Sequence, residues 1–301
     1  MSAVGNRRFT VLLPITRPPV FLPYAVDSVL AQTHADFELF IVSDGAPAAT
    51  VAWGKAAEAR DPRIRLFDFP KGERHGEAHR HVALEQATGA SVAQIADDDL
   101  WFPDFLSEMA AHLETVDFGN LVHCNVGTDG KLFGIPGDLA SPATRERMLR
   151  SYWNLFGPTV AGYRLSAYRQ LAEGWSPAPP DIATDLHMWR KFLRDDRLTV
   201  GTRFAIESLR FPTPQRTTWS EAEREREIGD YARRIRDAAT RRTIAAEGFR
   251  MLYALTKAEV VAQVSAHVTA VENERNLLKA RLQAIESRLP QAGRGVFPVS
   301  R

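Results

Sequence analysis

The sequence predicts an α/β fold built on a largely parallel sheet with helices on both faces. Through the first 125 residues, short apolar runs alternate with amphipathic stretches. A strand, a helix and another strand at this spacing are typical of crossover units in parallel sheets. The chain has 301 residues, which is enough for one large domain or two ordinary ones.

Five strands and three helices are predicted in this part of the chain. The strands are residues 9–15, 37–42, 64–69, 91–95 and 121–125, and the helices are residues 21–32, 77–87 and 103–115. Ligands of such sheets bind beyond the carboxyl ends of the strands. The segments at those ends, Thr16-Arg17, Asp44-Gly45 and Asp97-Asp98-Asp99, are therefore candidates for a site.

After residue 125 the sequence predicts first a mixed region of turns, strands and helices and then a helical region. A turn at residues 128–131 predicts a hairpin over residues 124–133, and helices are expected at residues 142–153, 166–173 and 184–194. From residue 220 to about 289 the pattern is helical throughout. Its arginine-rich part, residues 224–250, is balanced by acidic residues, so we interpret it as a solvated helix face, with an anionic partner as the alternative.

The last predicted helix carries a heptad repeat. Apolar residues fill the a and d positions over four heptads, and Arg275 stands at the one a position that is not apolar: Val261, Val264, Val268, Val271, Leu278, Leu282, Ile285 and Leu289. A repeat of 3.5 residues is typical of coiled coils. We therefore expect a homo-oligomer formed through residues 254–289; the alternative is a long helix that folds back on its own domain. The tail after Pro290 is expected to be unstructured.

Composition excludes several classes of protein. With 38 basic and 37 acidic residues the formal charge is +1, so no overall field attracts nucleic acid or an acidic membrane. The one cysteine, Cys124, cannot form an internal disulfide, which is typical of a reducing compartment. No signal peptide and no apolar run of the ~20 residues that span a bilayer is present. A cytoplasmic location is expected, with peripheral membrane contact left open.

Carboxylates and one arginine are the candidates for chemistry. Three adjacent aspartates, Asp97–Asp99, repel one another unless a cation neutralises them, and Mg²⁺ or Mn²⁺ prefers such oxygen ligands. Alternatively, the triplet is a solvated loop that caps the next helix. Asp44 is suited to a ribose or a base, although most aspartates at such a position are turn residues. Arg80 can grip a phosphate through its planar fork, although a surface ion pair is the commoner role.

Other chemistries are disfavoured. His75 and His79 have zinc-like spacing, but Gly76 stands where a metalloprotease has glutamate. The chain also contains no phosphate-binding loop, dinucleotide fingerprint or nucleophile elbow. Kinase, dehydrogenase and serine hydrolase chemistry are thus not supported.

Six segments, taken together, resemble family-2 glycosyltransferases, which are inverting enzymes with a GT-A type fold. They occur in the family's order: Val11-Leu-Leu-Pro-Ile-Thr-Arg-Pro-Pro, Ala25-Val-Asp-Ser-Val-Leu-Ala-Gln-Thr, Phe37-Glu-Leu-Phe-Ile-Val-Ser-Asp-Gly, Asp61-Pro-Arg-Ile-Arg-Leu, His79-Arg-His-Val-Ala-Leu-Glu-Gln-Ala-Thr-Gly and Asp97-Asp-Asp-Leu-Trp-Phe-Pro-Asp. The resemblance covers about residues 8–211. It implies a GT-A mixed sheet flanked by helices, a catalytic domain over residues 1–211, and a helical extension over residues 212–301. The nucleotide-binding half would be residues 8–125 and the acceptor half residues 126–211.

The resemblance also implies roles in donor binding. Thr16 and Asp44 match positions that hold the base and ribose, with Arg17 beside Thr16, and Arg80 matches an arginine beside the base and phosphates. Asp97, the first residue of the aspartate motif, matches a ribose ligand in some members. The donor would be a nucleotide-diphosphate sugar, with a UDP-sugar favoured.

Metal and base positions follow from the same resemblance. Asp98, with Asp99 close behind, matches the ligand of a divalent cation, Mn²⁺ or Mg²⁺. Asp185 in Thr184-Asp-Leu-His-Met-Trp189 matches the catalytic base that takes a proton from an acceptor hydroxyl, on a glycan or another molecule. Thr184 departs from the family's glutamate, which bears on acceptor handling.

The two histidines beside Arg80 also depart from the family pattern, and they bear on donor identity. Two alternatives stay open at this point. One is a nucleotidyltransferase that makes nucleotide sugars, although its usual glycine-rich loop is replaced by Thr16-Arg-Pro-Pro19. The other is a non-catalytic nucleotide-sugar-binding scaffold that oligomerises through the coiled coil. If the chain is an enzyme of this family, surface polysaccharide or glycan synthesis is its expected setting by analogy.

Overall fold

The computed structural model describes residues 9–287. Its strands are β1 (Phe9–Ile15), β2 (Phe37–Asp44), β3 (Ile64–Phe69), β4 (Ser91–Gln94), β5 (Leu100–Trp101), β6 (Phe118–Leu121), β7 (Asn125–Val126), β8 (Leu132–Phe133), β9 (Ala161–Arg164), β10 (Val200–Arg203) and β11 (Ser208–Leu209). Its α-helices are α1 (Leu22–Leu30), α2 (Ala48–Arg60), α3 (Glu77–Glu85), α4 (Phe105–Leu113), α5 (Pro142–Arg150), α6 (Leu165–Gln170), α7 (Thr184–Leu193), α8 (Glu221–Arg234) and α9 (Ala238–Glu286). Two compact units are present, one ending at Leu252 and the other beginning at Tyr253.

A seven-stranded mixed sheet forms the centre of the first unit. Its order is β10-β6-β9-β4-β1-β2-β3, and every neighbouring pair is parallel except those that β9 makes with β4 and β6. The α/β class and the mixed sheet flanked by helices predicted from the sequence are confirmed. β1 and β2 are mostly apolar and are buried on both faces, as is typical of strands in the middle of a helix-covered sheet.

Most predicted elements occur within a few residues of their expected positions. The predicted fifth strand, residues 121–125, is displaced: β6 ends at Leu121, and Asn125 begins the first strand of the β7–β8 hairpin. Helix α2 and strands β9, β10 and β11 were not predicted. Residues 220–289 are not one continuous helix, because α8 ends at Arg234 and α9 starts at Ala238.

Helix α8 begins with a capping box and packs into a second apolar core. The Ser220 side chain accepts from the Glu223 amide, and the Glu223 carboxylate accepts from the Ser220 amide, which satisfies two free donors of the helix start. Ile228, Tyr231 and Ile235 bury their side chains with residues of β5, β7 and β11. The first compact unit therefore extends past residue 211, where the sequence suggested the catalytic domain ends.

In the part of the chain that the structure describes, the second unit is the remainder of α9, from Tyr253 onward. Its described apolar heptad residues are all exposed, with about half of each side chain accessible: Val261, Val264, Val268, Val271, Leu278, Leu282 and Ile285. Leu289 and the tail predicted to be unstructured lie outside the described residues. Within residues 9–287, no helix is long and apolar enough to cross a bilayer.

Candidate active site

Three parallel strands deliver the candidate residues to one edge of the sheet. β1 lies between β2 and β4, and both pairings are parallel, so the carboxyl ends of the three strands are neighbours. Thr16 and Arg17 follow β1, Asp44 ends β2, and the aspartate triplet begins three residues after β4. The local order of strand and polar segment therefore places the predicted site residues in one region.

A cavity of about 340 Å³ opens at this edge. It is lined by Pro14, Thr16, Arg17, His75, Arg80, Ala96, Asp97, Pro158, Thr184 and Asp185. The structure thus brings Thr16, Arg17, Arg80, Asp97 and Asp185 into one cavity. Asp44, Asp98 and Asp99 are not among its lining residues; each lies beside it, in contacts described below.

Asp44 lies buried under the loop that precedes α3. One of its carboxylate oxygens accepts from the Lys71 ammonium at 2.5 Å, and the other accepts from the Gly72 amide at 2.6 Å. Gly76 has φ +69°, and a Cβ there would lie 2.5 Å from the Asp44 Cγ. A glycine is required at this position, both for the left-handed backbone and for the close approach to the carboxylate. The His79 ring stacks on Phe69 at 4.5 Å and closes the side of this loop.

Arg80 is a buried cation with spare hydrogen-bonding capacity. Its guanidinium lies 4.8 Å above the Trp175 ring, and Nη2 donates to the His75 carbonyl at 2.9 Å. Its Nε has no partner among the described residues. Burial lowers the pKa of this arginine, and the charges of Glu77 and Asp185 oppose that shift. A buried cation with an unpaired N–H in a cavity wall is suited to an anionic ligand.

Arg17 binds Asp97 through two parallel hydrogen bonds. Its Nε and Nη2 donate to the Asp97 carboxylate at 2.6 and 2.7 Å, the fork geometry that is strongest for this pair of groups. Burial raises the pKa of Asp97, as does the charge of Asp98, while Arg17 opposes the rise. Arg17 also reaches Asp98, at 2.9 Å, so it links the first two residues of the triplet.

Asp98 is held on one oxygen only. Oδ2 accepts from Arg224 on α8 at 2.9 Å and from the Thr213 hydroxyl at 3.2 Å, and it is the oxygen that Arg17 contacts. The described residues donate no hydrogen bond to its second oxygen, Oδ1. Mg²⁺ is usually bound by one or two carboxylates together with substrate phosphates and waters. The donor set therefore fits a divalent cation through Asp98 Oδ1, although within residues 9–287 no three His, Cys, Asp or Glu residues form a preformed metal cage.

Asp99 is engaged by the protein on both oxygens. It accepts from the Phe211 amide at 3.1 Å and from the Thr159 hydroxyl, and Arg210 lies 3.4 Å away. Burial raises its pKa to about 6; Arg210 opposes the rise and Asp98 adds to it. The pairing of β5 with β11 delivers this segment, since β11 ends immediately before Arg210. These contacts leave Asp99 less available to a cation than Asp98.

Asp185 occupies the first turn of α7. One oxygen accepts from the Leu186 amide at 2.8 Å and the other from the Asn154 side-chain amide at 3.0 Å. Burial is the main cause that raises its pKa, and the nearby charges of Arg210 and Arg80 oppose the rise. A carboxylate held in a fixed direction with an upward-shifted pKa is suited to accept a proton.

Thr184 ties α7 to α3. Its hydroxyl donates to the fully buried Glu77 at 2.8 Å, and the His75 amide donates to the same carboxylate at 2.9 Å. Burial of Glu77 favours its neutral form, but these hydrogen bonds and its own amide hold the pKa below its usual value. The threonine that departs from the family pattern thus makes a specific contact beside Asp185.

Sequence reasoning missed several residues that shape the site. Arg224 was interpreted as part of a solvated helix face, yet it contacts Asp98 with little of its side chain exposed. Its own cation is also stacked 4.7 Å from the Phe21 ring. Thr213 and Glu77 were not identified either. Each acts through a contact between distant parts of the chain, which no local pattern reports.

Comparisons with known proteins agree with this geometry. The family model described as "Glycosyl transferase family 2" matches residues 10–171. "Putative glycosyltransferase EpsE" of Bacillus subtilis (strain 168) is 26% identical over 193 residues, which cover 62% of this chain and 67% of that protein. The Escherichia coli protein "UDP-Glc:alpha-D-GlcNAc-diphosphoundecaprenol beta-1,3-glucosyltransferase WfgD" is 29% identical over 99 residues, 32% of this chain and 37% of that one.

Solved structures share the fold. Staphylococcus aureus TarS 1-349 in complex with UDP-GlcNAc has a TM-score of 0.53 at 18% identity, covering 68% of this chain and 58% of the TarS chain. The mannosyltransferase PcManGT from Pyrobaculum calidifontis, in complex with GDP-Man and Mn²⁺, has a TM-score of 0.50 at 19% identity, covering 90% and 81%. The family match spans more than half of the chain and contains the strand ends that form the cavity. The chain therefore belongs to glycosyltransferase family 2.

Proposed function

We propose that this chain transfers a sugar from a nucleotide-diphosphate donor, with a UDP-sugar favoured, to a hydroxyl of a glycan or another acceptor, with inversion at the anomeric carbon. The observation that carries the proposal is one cavity lined both by a candidate base, Asp185, and by the cations Arg80 and Arg17. Its volume is within the range of about 300–1,000 Å³ that small-molecule sites usually have.

The donor would lie along the ends of β1 and β2. Thr16 and Asp44 offer oxygens to the base and ribose, and Asp97, fixed by Arg17, offers a further acceptor. Arg80 lines the cavity and would supply positive charge to a phosphate group. TarS, a structural relative, was solved with UDP and with UDP-GlcNAc, which supports this class of donor.

The reaction would be a single displacement. As the acceptor oxygen attacks the anomeric carbon, Asp185 takes the proton of its hydroxyl, a role that typically accelerates a reaction about 10²–10⁴-fold. The bond from that carbon to the diphosphate oxygen breaks, and the positive charges of Arg80 and Arg17 offset the negative charge that develops on the diphosphate.

A divalent cation, Mn²⁺ or Mg²⁺, would be held through Asp98, and when bound it would supply further positive charge to the diphosphate. Asp99 is the weaker candidate ligand, because protein donors occupy both of its oxygens. PcManGT was solved with GDP-Man and Mn²⁺, which supports a cation in this chain.

The proposal assigns residues 8–125 to donor binding and residues 126–211 to the acceptor. It also places the chain in surface polysaccharide or glycan synthesis, since WfgD uses a UDP-Glc donor and a diphosphoundecaprenol-linked acceptor. A cytoplasmic location stays a prediction.

A thermal-shift screen of nucleotide sugars with Mn²⁺ tests donor binding, because a ligand of the native state raises the melting temperature. Release of nucleoside diphosphate from the best donor then tests catalysis. Binding without release, in the presence of a range of glycan acceptors, would instead indicate the non-catalytic scaffold. If no nucleotide sugar raises the melting temperature, the proposal fails.

A further inference from the structure

The exposed heptad face of α9 and the charges beside it point to one partner. We infer that residues 260–285 form a parallel, in-register, two-stranded coiled coil with a second copy of this chain. The inference concerns a surface that the proposed catalytic activity does not use. It rests on three observations: the exposed a and d residues, the charges at the e and g positions, and Arg275 at an a position.

The a and d residues form one continuous apolar stripe. Val261, Val268 and Leu282 occupy a positions, and the d positions are occupied by Val264, Val271, Leu278 and Ile285. Each is about half accessible, although all are aliphatic. A seam with a strict period of 3.5 residues is covered along its whole length only by another helix with the same period. A second copy of α9 has that period.

The flanking charges favour a parallel orientation. In a parallel pair, a g residue of one helix faces the e residue five positions later on the other helix. This rule sets Glu274 against Lys279 of the second copy, and His267 against Glu272 of the second copy. Both contacts occur twice in a symmetric dimer, and each Glu274–Lys279 contact joins opposite charges.

An antiparallel orientation is disfavoured by the same charges. An antiparallel dimer keeps its apolar residues in contact when Val264 of one helix lies opposite Leu282 of the other. The two helices then cross their common midpoint near residue 273. Residues at e then face e, and residues at g face g. Glu272 would lie against its own counterpart, and so would Glu274. Two like-charge contacts at the centre would replace the attractions of the parallel pair.

Arg275 favours two strands. A single polar residue at an a position lowers stability but specifies register and strand number. In a parallel dimer the two Arg275 residues face each other across the seam. Each guanidinium can extend outward to the adjacent Glu274 of the second copy, which offsets their repulsion, while the methylenes cover the seam. In a coil of three or more strands the a position is more enclosed, so a guanidinium there would lose more of its water at a higher cost in stability.

Cysteine cross-linking in the full-length protein tests the orientation. Val264→Cys alone should form disulfide-linked dimers on mild oxidation, because equal positions meet only in a parallel, in-register pair. A mixture of Val264→Cys and Leu282→Cys should give no additional mixed product. The native Cys124 does not interfere, since it is buried and burial raises the pKa of its thiol to about 12. Cross-linking in the mixture but not with Val264→Cys alone would overturn the inference in favour of an antiparallel pair.

Charge substitution with measurement of molar mass tests the contacts. Glu274→Lys should raise the dimer dissociation constant roughly tenfold, because it turns two attractions into two repulsions. Adding Lys279→Glu should restore the original value. Glu259→Lys makes the same charge change just before residues 260–285, at an outward-facing f position of the same heptad frame, and should leave the constant unchanged. A monomeric wild-type chain at high concentration, a trimer or tetramer, or equal effects of Glu274→Lys and Glu259→Lys would each overturn the inference.

Discussion

Replacing Asp185 by asparagine removes the proposed base with little change of shape. Asparagine can still accept from the Leu186 amide through its side-chain oxygen. Its new NH₂ group would face the Asn154 amide, but the Asn154 Oδ1 has no partner among the described residues, so a flip of that amide restores the hydrogen bond. We therefore expect Asp185→Asn to fold normally and to bind nucleotide with unchanged affinity.

The rate should fall far more than the stability. Loss of a general base costs about 10²–10⁴-fold in turnover, which is about 3–5 kcal/mol of transition-state stabilisation. The assay is the release of nucleoside diphosphate with a saturating donor, beside nucleotide titration and thermal unfolding. Asp196→Asn makes the same chemical change at an exposed residue just beyond α7 and should leave the rate unchanged.

The pH profile provides a second readout of the same residue. The base must be ionised, and burial raises the pKa of Asp185. As the pH is lowered, the wild-type rate should therefore begin to fall at a higher pH than the one at which an ordinary aspartate becomes protonated. The variant should lack this acid limb. A variant with more than a tenth of the wild-type rate, or with the same acid limb, would refute the assignment of Asp185 as the base.

Three further substitutions test separate parts of the structure. Asp98→Asn should weaken the binding of nucleotide in the presence of Mn²⁺ but not in its absence, as measured by calorimetry; equal affinities would place the cation elsewhere. Burial, with two neighbouring carboxylates, raises the pKa of Glu207 to about 7, so the folded state loses stability as the pH rises from about 4.5 through 7. The shift corresponds to about 3 kcal/mol at most, which partial exposure reduces to about 1–2. Glu207→Gln should therefore raise Tm by about 2–6 °C at pH 8 and hardly at all at pH 5, and equal gains would contradict this. Gly76→Ala should lower the free energy of unfolding by about 1–2 kcal/mol from the left-handed backbone alone. It should also weaken nucleotide binding, because the added Cβ overlaps the Asp44 carboxylate. Thermal unfolding measures the first effect and nucleotide titration the second, and no change in either would argue against this packing.

The sequence predicted those elements whose apolar pattern is strong and local. β1 and β3 were predicted with their observed bounds, and Thr184 was expected to begin α7, as it does. Helix α2 escaped prediction because it buries little more than Thr50, Gly54 and Ala57, so its apolar face is almost absent. Strand β9 is four residues long and is set by its neighbours β4 and β6 rather than by its own pattern.

The candidate site likewise contains residues that a local sequence pattern indicates and residues that only long-range contacts reveal. Asp44, Asp97 and Asp98 could be proposed from the sequence because each lies at or just after the end of a buried strand, in a segment typical of the family. Arg224 could not, since it lies 126 residues from Asp98 and reaches it only after α8 has packed on the second core. A charged residue among other charged residues carries no local sign that it contacts an internal carboxylate.

One short helix controls the spacing of the proposed catalytic groups. Arg80 and Glu77 are both on α3, and Glu77 holds Thr184, the residue before Asp185. One helix of nine residues, α3, therefore carries both Arg80, the cation proposed for the leaving group, and Glu77, which supports the proposed base. Because the Glu77–Thr184 hydrogen bond joins α3 to the start of α7, a displacement of α3 would disturb the Arg80 guanidinium and the support of Asp185 together. A bound sugar would therefore meet the proposed leaving-group cation, Arg80, and the proposed base, Asp185, at a nearly constant separation.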